Sequence, residues 1–546
     1  MAQDVVWDTK GPYVDEIILP IIMDVEAQII ALQRGDIHVL PGLSQPSHIE
    51  RLAADPNVDI TVDPGYHMFY LAMNMRRPPL NDVAVRRAIA HVINRDEIIL
   101  SLFQGYMLPL AGFVPPASPY HNPDTEVAQY DPELAKRILD EAGYRMGPNG
   151  VRIDPHTGQP LREMTILTPT MEVAPTSAQL GVMGAEAARA IGLPVRAEPL
   201  DFNVIVDRIT TDVDGDRNFD MFALAWGLTR FPTHLYTLFH SQFDVDGGDN
   251  TPGLRDPEYD AAAEKVWTPR DLDEAMEAAY LAQEMLSRLQ PYVPLYSRPY
   301  MDAFRSDIVA GYVPHLGYGA ASNTLDSIWT PLNIRLKDRE RGGTVRWVLE
   351  QEPGSLNIMV GTSAYDARIF GLVYGPGLIT TDPVHNQDFP WEAERWEVGT
   401  WTTPEGHEGT KITYYLRKDV TWHDGVPFTA EDVKFTMDYL KAQRVPKYQA
   451  NWSDYSHAEI IDDHTITVYY NTVSYWHTYN TAAFLAKHLW ENVPKFDESE
   501  PWKEPHPTVP GLTMMTGTGP FVFREYVVGE YVRVERYDGF WAGLDR

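Results

Sequence analysis

The stretch LKDRERGGTVRWVLEQEPGSLN, Leu336 to Asn357, constrains the fold of this chain more than any other. A charged run, a Gly pair and an alternating strand succeed one another there, as at the start of a mature protein. Yet this stretch lies past the middle of 546 residues. A fold for this chain has to join the residues before the apparent beginning to those after it. Strand and helix patterns alternate on both sides, which predicts the α/β class.

Before residue 336, VDEIILPI, DIHVL, HMFYLAMN, MTILTPT, PVRAEPLD, FDMFALAWG (219–227) and VPLYSR read as strands. FDMFALAWG is apolar throughout, as expected of a buried strand. DVEAQIIALQRG reads as a helix stopped by Gly35. DPELAKRILDEAGY has Asp131 at the N-cap, Pro132 at the first position and Gly143 as its close. After residue 343, GGTVRWVLE and HTITVYYN read as strands, and Thr429 caps the helix that contains Glu431 and Asp432. GTGPFVFREYVVGEYVRVERYDGFW reads as a hairpin turning near Gly529.

Composition narrows the function. Asp plus Glu total 77 against 45 Lys plus Arg, a net charge of -32. That field repels phosphate backbones and anionic membrane surfaces, so nucleic acid is excluded as a partner. The absence of cysteine removes disulfides, thiolate metal sites and cysteine nucleophiles. A spanning helix needs about 20 apolar residues, and no run approaches that. The 14 Trp and 29 Tyr suit a ligand site built on stacking. No signal peptide is visible at the start; removal before expression is compatible with that.

VTWHDGVPFTAEDVKFTMDYL (420–440) resembles a signature of the family 5 extracytoplasmic solute-binding proteins, the peptide and oligosaccharide receptors of ABC importers. YVDEIILPIIMDVEAQIIALQRGDIHVLPG, NDVAVRRAIAHVINRDEI, DPELAKRILDEAGY, FDMFALAWG, VPLYSRPY and the Gly-Thr-Gly-Pro hairpin resemble further stretches of that family. The order differs: in the family the GGTVRW segment comes first, and the hairpin precedes YVDEI. The chain is therefore similar to a circularly permuted single copy, with KDRERGG joining the old ends and Met1-Ala2 as an added start. Engineering is the favoured origin, against a natural permutation or a fragment of a tandem pair.

The resemblance implies a two-lobed α/β fold of the periplasmic-binding-protein (Venus flytrap) type, whose cleft closes on ligand, with an extra subdomain. Mapped here, 1–75 is the central part of lobe one, 76–299 lobe two and 300–335 the late part of lobe one. Residues 336–343 are the permutation linker, 344–385 the early part of lobe one, 386–511 the subdomain and 512–546 the lobe-one hairpin. The implied function is capture of an oligopeptide or oligosaccharide for the membrane subunits of an ABC importer, by an extracytoplasmic monomer. No cofactor, metal or catalytic residue is implied. A permuted sensor scaffold and a carbohydrate-active enzyme are the alternatives.

The same resemblance implies ligand contacts. Gly361, Thr362 and Ser363 fall on the lobe-one rim, His67 and Phe69 near the hinge, and Trp226, Gly227, Thr229 and Arg230 on lobe two. Asn250 and Tyr296 complete the wall, with Phe202 and Trp452 beside them. Trp226 alternatively belongs to the core, His67 to the frame, Arg230 to the surface, and Thr362 and Ser363 to an ordinary turn. Peptide-binding members place an aspartate just after this Trp to pair with the ligand's α-amine. Here the segment reads Trp-Gly-Leu-Thr-Arg-Phe-Pro, without an acid. A buried ammonium needs a partner. The expectation is a ligand lacking a free amine at this point, or an amine paired with Asp366 or Asp454.

DVDGDRNFD (212–220) spaces Asp212, Asp214, Asp216 and Asn218 like a calcium loop, but Arg217 and Ala223 replace the Gly and Glu such a loop needs. A solvated acidic turn is the expectation. HLYTLFH sets two histidines six apart, which is not a helical metal pair. HExxH, GxSxG and P-loop motifs are absent.

Overall fold

A computed structural model describes residues 7–171, 175–213, 215–321, 325, 327–479 and 484–545. Met1-Ala2, read as the added start, Arg546, expected beside Met1 in a permuted chain, and Asp214 of the calcium-like loop fall outside the described residues. Two compact units emerge: one takes the chain up to Asp63 and again from Tyr300 onward, the other is Pro64–Pro299.

In the first unit, four strands from three distant stretches form one sheet, in the order Thr344–Arg346, Glu16–Pro20, Tyr531–Arg536, Phe521–Val527. Ile17 pairs with Val345 in parallel and with Val534 in antiparallel register. Alternate residues face the core, so Ile17, Leu19, Val345, Val532 and Val534 are all buried. Trp347 continues the pairing, donating its N–H to the Ile18 carbonyl at 2.9 Å. A second sheet, in the order Ala393–Thr402, Glu408–Leu416, Thr465–Tyr470, Tyr455–Asp462, comes from the stretch read as a subdomain. That stretch has its own sheet but not its own core: Trp422, Phe428 and Trp490 belong to one buried cluster with Trp347 and Phe521.

The segment read as a linker is a surface turn. Lys337 to Arg341 are exposed. Gly342 donates its N–H to the Tyr13 carbonyl at 2.7 Å, and Asp15 donates to the Gly343 carbonyl at 2.9 Å. Gly342 and Gly343 adopt φ of +89° and +83°, a region that glycine enters without penalty. Beside this turn, Arg341 pairs with Asp545 at 2.7 Å, and the Gly11 N–H donates to the Ala542 carbonyl at 3.0 Å.

The second unit is built on a six-stranded mixed sheet, in the order Leu108–Pro109, Tyr292–Ser297, His67–Met73, Met221–Gly227, Met164–Pro169, Val195–Leu200. His67–Met73 runs antiparallel to both neighbours, and Met221–Gly227 runs parallel to Met164–Pro169. This corrects the boundary expected at residue 75: His67–Met73 sits inside this sheet, so the chain leaves the first unit at Asp63. Met221–Gly227 is also less buried than its composition predicts, because Ala225 and Gly227 emerge at its end.

Local signals set the helices. Asp24 accepts the Ala27 N–H at 2.8 Å and Gly35 closes the helix Val25–Arg34 at φ +79°. Asp131 accepts the Leu134 N–H at 2.8 Å to start Pro132–Glu141. Thr429 and Asp432 cap Ala430–Gln443 reciprocally, so Asp432 is a buried capping group rather than an exposed dipole partner.

One buried acid has no counter-charge among the described residues. Glu392 is 1% exposed; Oε1 accepts from the Thr518 hydroxyl at 2.5 Å, and Oε2 has no partner. Burial, offset by the Thr518 bond and reinforced by Asp432, raises its pKa from 4.5 to about 8. The folded state then binds more protons than the unfolded one between those values. The stability from this group is therefore full below about 4.5 and is lost as pH rises through about 8. Glu392→Gln is expected to remove a slope approaching about 1.4 kcal/mol per pH unit. Urea unfolding at several pH values between the two pKa values, with and without the substitution, measures it; parallel curves would refute this assignment.

Candidate functional site

Strand parity decides which side chains of the second unit meet. Tyr70 lies opposite Leu224, and Tyr292 opposite Ala72, so Tyr70, Tyr292 and Trp226 share one face of the sheet. Their rings are nearly parallel: Tyr70 to Tyr292 is 4.1 Å at 11°, and Tyr70 to Trp226 is 6.5 Å at 7°. Tyr292 exchanges a hydrogen bond with the Thr251 hydroxyl at 3.2 Å. Burial, then Tyr292, then the charge of Asp249 keep the Tyr70 phenol protonated. Trp226 is half-buried, and its indole nitrogen lies in the covered part of the ring. Gly227 and Thr229 continue from it into solvent, and a Cβ on Gly227 would meet nothing within 4 Å. Opposite Gly227 in the ladder stands His67. Its Nδ1 lies 3.3 Å from the Arg298 carbonyl, and burial followed by the Arg298 charge lowers its pKa.

Five residues expected at the site are committed or placed otherwise. Tyr296 is buried on the opposite face, stacked on Phe69 at 4.5 Å and tilted against Phe103 at 4.7 Å. Tyr296 and Phe69 are therefore core, because the ladder turns them away from Trp226. Asn250 is fully buried and saturated. Its Nδ2 donates to the carbonyls of Phe239, His240 and Leu254, and its Oδ1 accepts from the N–H groups of Gly253 and Leu254. It staples a loop and has nothing left for a ligand. Arg230 is 5% exposed, with its guanidinium 4.6 Å over Phe231 and its carbonyl accepting from the Ser118 hydroxyl. It is neither a surface residue nor an open anion receptor. Phe202 is exposed at the first position of Phe202–Thr210.

In the first unit the segment expected at the rim is tightly bonded within itself. Gly361 is required by space, since a Cβ there would stand 2.4 Å from the Ser355 carbonyl. Ser363 caps Ala364–Val373, accepting the Asp366 N–H at 3.0 Å. Asp366 returns the bond to the Ser363 N–H and also accepts from Gly354 and Ser355. Thr362 alone of the three is exposed. Sequence reasoning missed the braces behind this rim: Lys447 and Tyr448 both donate to the Ile358 carbonyl, at 2.9 and 3.1 Å. Trp452 is a brace too, donating its indole N–H to the Val445 carbonyl at 2.8 Å. The acids weighed as amine partners are committed. Asp366 holds three backbone N–H groups, and Asp454 accepts from Thr472 and lies 3.0 Å from His477.

The acidic turn is internally bonded: Asp212 accepts the Gly215 N–H at 2.7 Å and Asp216 pairs with Arg77 at 2.8 Å. His234 is buried with Nε2 2.9 Å from the Phe113 carbonyl. Asp424, His488 and His506 each bring one ligand atom within 4.8 Å of the others. Both imidazole Nε2 atoms approach Asp424 Oδ2, at 2.7 Å and 3.0 Å. His506 Nδ1, however, accepts the N–H groups of Val509 and Thr508 at 3.0 and 3.2 Å. That fixes its proton on Nε2, where it is donated to Asp424. The cluster is a hydrogen-bonded clasp that ties the Asp424 turn and the His506 loop to the short helix Lys487–Trp490, since a metal would need that lone pair.

Residues 2–246 and 389–546 match the family described as bacterial extracellular solute-binding proteins, family 5 Middle. The chain belongs to this family. It is 34% identical over 146 residues to the dipeptide-binding protein of Escherichia coli, covering 27% of each chain. It is 25% identical over 305 residues to the peptide transport periplasmic protein SapA of Salmonella typhimurium, covering 55% of this chain and 52% of that one. The chain thus spans from about a quarter to about half the length of these curated relatives. A solved structure of the periplasmic binding protein DppA from Helicobacter pylori with peptide STSA superposes on it. The TM-score is 0.44 at 23% identity, over 57% of this chain and 55% of that one. No helix among the described residues is long and apolar enough to cross a membrane.

Asn250→Ala tests the division between frame and site. Each buried polar group left unpaired costs about 1–3 kcal/mol. The substitution is expected to lower stability by about 2–4 kcal/mol, read by chemical denaturation. A loss under about 0.5 kcal/mol would return Asn250 to the site.

Proposed function

We propose that this family 5 protein captures a peptide and presents it to the membrane subunits of an ABC importer. The aromatic face of the second unit carries this reading: Trp226 stands half-exposed at a sheet end, with Tyr70 and Tyr292 behind it. The names of two relatives, a dipeptide-binding protein and a peptide transport protein, support a peptide. The stacked rings favour one second reading, a neutral oligosaccharide lying against Trp226. The ligand is bound and returned unchanged. Thermal shift with peptide and glycan panels separates the readings, because a ligand at 100 times its Kd adds about 2.7 kcal/mol of stability. Trp226→Ala is expected to weaken binding by about 2 kcal/mol or more. Unchanged affinity with a lower melting temperature would make Trp226 core.

We further propose that the order of the chain is a permuted one. The exposed 336–343 turn supports it, as do the Gly11–Ala542 bond and the Arg341–Asp545 pair beside that turn. So does the match of SapA to 55% of this chain and 52% of its own, as ordered alignment takes one half at a time. A reordered chain that starts at Gly342, joins residue 545 to residue 7 and ends at Lys337 is expected to melt within a few degrees of the original and bind the same ligand. Failure of that chain to fold would overturn the proposal.

A further inference from the structure

The clasp at Asp424 holds a loop by a histidine with no room for a second proton. His506 is buried and uses both ring nitrogens, in opposite senses. Nε2 donates to Asp424 Oδ2 at 3.0 Å, while Nδ1 accepts the N–H groups of Val509 and Thr508 at 3.0 and 3.2 Å. Nδ1 thus folds the loop 505–513 back on itself. The His506 N–H helps, donating to the Leu512 carbonyl at 2.9 Å, and Pro505 pairs with Thr513 at the loop's base. A second proton on this ring would have to sit on Nδ1, where two N–H groups already point. A donor set against two donors loses both bonds, so the closed loop excludes a proton that an open loop accepts.

The charges around the ring do not offset that loss. Asp424 is the anion in contact with His506, and His488 Nε2 stands 2.7 Å from the same oxygen. The bond to Asp424, opposed by burial and supported by the charges of Asp424, Asp432 and Glu491, raises the His488 pKa. With His488 protonated, Asp424 is already matched and leaves no net anion for a cationic His506. On the same helix Lys487 pairs with Glu431 at 2.8 Å. Glu504 accepts from the Ser499 hydroxyl and the Glu500 N–H. Arg524, donating to the Gly511 carbonyl at 3.3 Å, brings positive charge to the loop. His423 makes a similar pair of bonds on the other side of the turn. Its Nδ1 accepts the Gly517 N–H at 3.2 Å and its Nε2 lies 3.0 Å from the Gly519 carbonyl. Burial, opposed by the Gly519 bond, lowers the His423 pKa to about 4, so this tie outlasts mild acid. We propose that His506 is a pH-sensitive latch, whose protonation on Nδ1 releases the loop 505–513 while the neighbouring His423 tie holds.

An unconstrained imidazole titrates near about 6.5, so each pH unit below that value multiplies the open population by up to about ten. Amide hydrogen exchange at about pH 7 and about pH 5, with each rate divided by its intrinsic rate at that pH, reads this population. His506→Asn is the partner variant. Its side-chain oxygen accepts from N–H groups two and three residues on, and it does not titrate. In wild type, protection of 505–513 is expected to fall at least about tenfold between the two pH values, and that of 517–523 by less than about twofold. In His506→Asn the fall in 505–513 is expected to vanish. Wild-type protection of 505–513 that changes by less than about twofold overturns the latch. An equal fall in His506→Asn overturns it too, and so does an equal fall in 517–523, which reports general acid unfolding. If His506→Asn does not fold, His506→Gln takes its place, and the wild-type comparison of the two segments decides by itself.

Discussion

The ladder that sets Glu16 beside Thr344, 328 residues apart, is the interaction on which the first unit depends. Closing so long a loop costs about 3 kcal/mol more than closing one of ten residues, since the entropy grows only with the logarithm of length. Full burial of one Ile, Leu or Val side chain returns about 1.5–3 kcal/mol. Ile17, Leu19 and Val345 are all buried in that ladder, so burial outweighs the distance. Val532 and Val534 extend it from the far end of the chain. Once three remote stretches are held by one sheet, the covalent path between them is secondary. A surface turn such as 336–343 adds order to the chain without adding much to the core, and this is why such turns tolerate cutting and joining.

Much of this was legible in the sequence, because it is written locally. Asp131 and Thr429 cap the helices expected of them, and Gly35 closes the helix it was expected to stop. Gly529 lies in the left-handed region at the hairpin turn between Phe521–Val527 and Tyr531–Arg536. The family resemblance rests on the same stretches. The part that stayed hidden is non-local. The boundary after Asp63 depends on which strands accept His67–Met73 as a neighbour, and no property of HMFYLAMN announces that. Tyr296 and Phe69 are aromatic like Trp226, yet both lie on the other face: Phe69 by the period of two, Tyr296 because the register shifts between Pro294 and Tyr296. A one-residue difference in register would have reversed all three assignments.

Polar satisfaction separates frame from site more sharply than residue type does. The family resemblance implied Asn250 and Ser363 as ligand contacts, and Asp366 was weighed as a partner for a ligand amine. Each has spent its capacity on backbone N–H and C=O groups that would otherwise be buried unpaired. Removing such a group damages the fold before it touches a ligand. Trp226 is the reverse case: its ring is only half-covered by protein, and the covered part includes the indole nitrogen. What the ring leaves open is apolar face, not hydrogen-bonding capacity.

The two kinds of group act together on the loop that holds residues 249 to 251. A mobile loop loses part of any binding energy to the cost of being ordered. Here the ordering is already done by Asn250, whose five hydrogen bonds hold the backbone around it. Thr251 then anchors the loop to Tyr292, inside the sheet that carries Trp226. The sequence Asn250-Thr251 is thus one structural device, in which the first residue fixes the loop and the second ties it to the stacked rings.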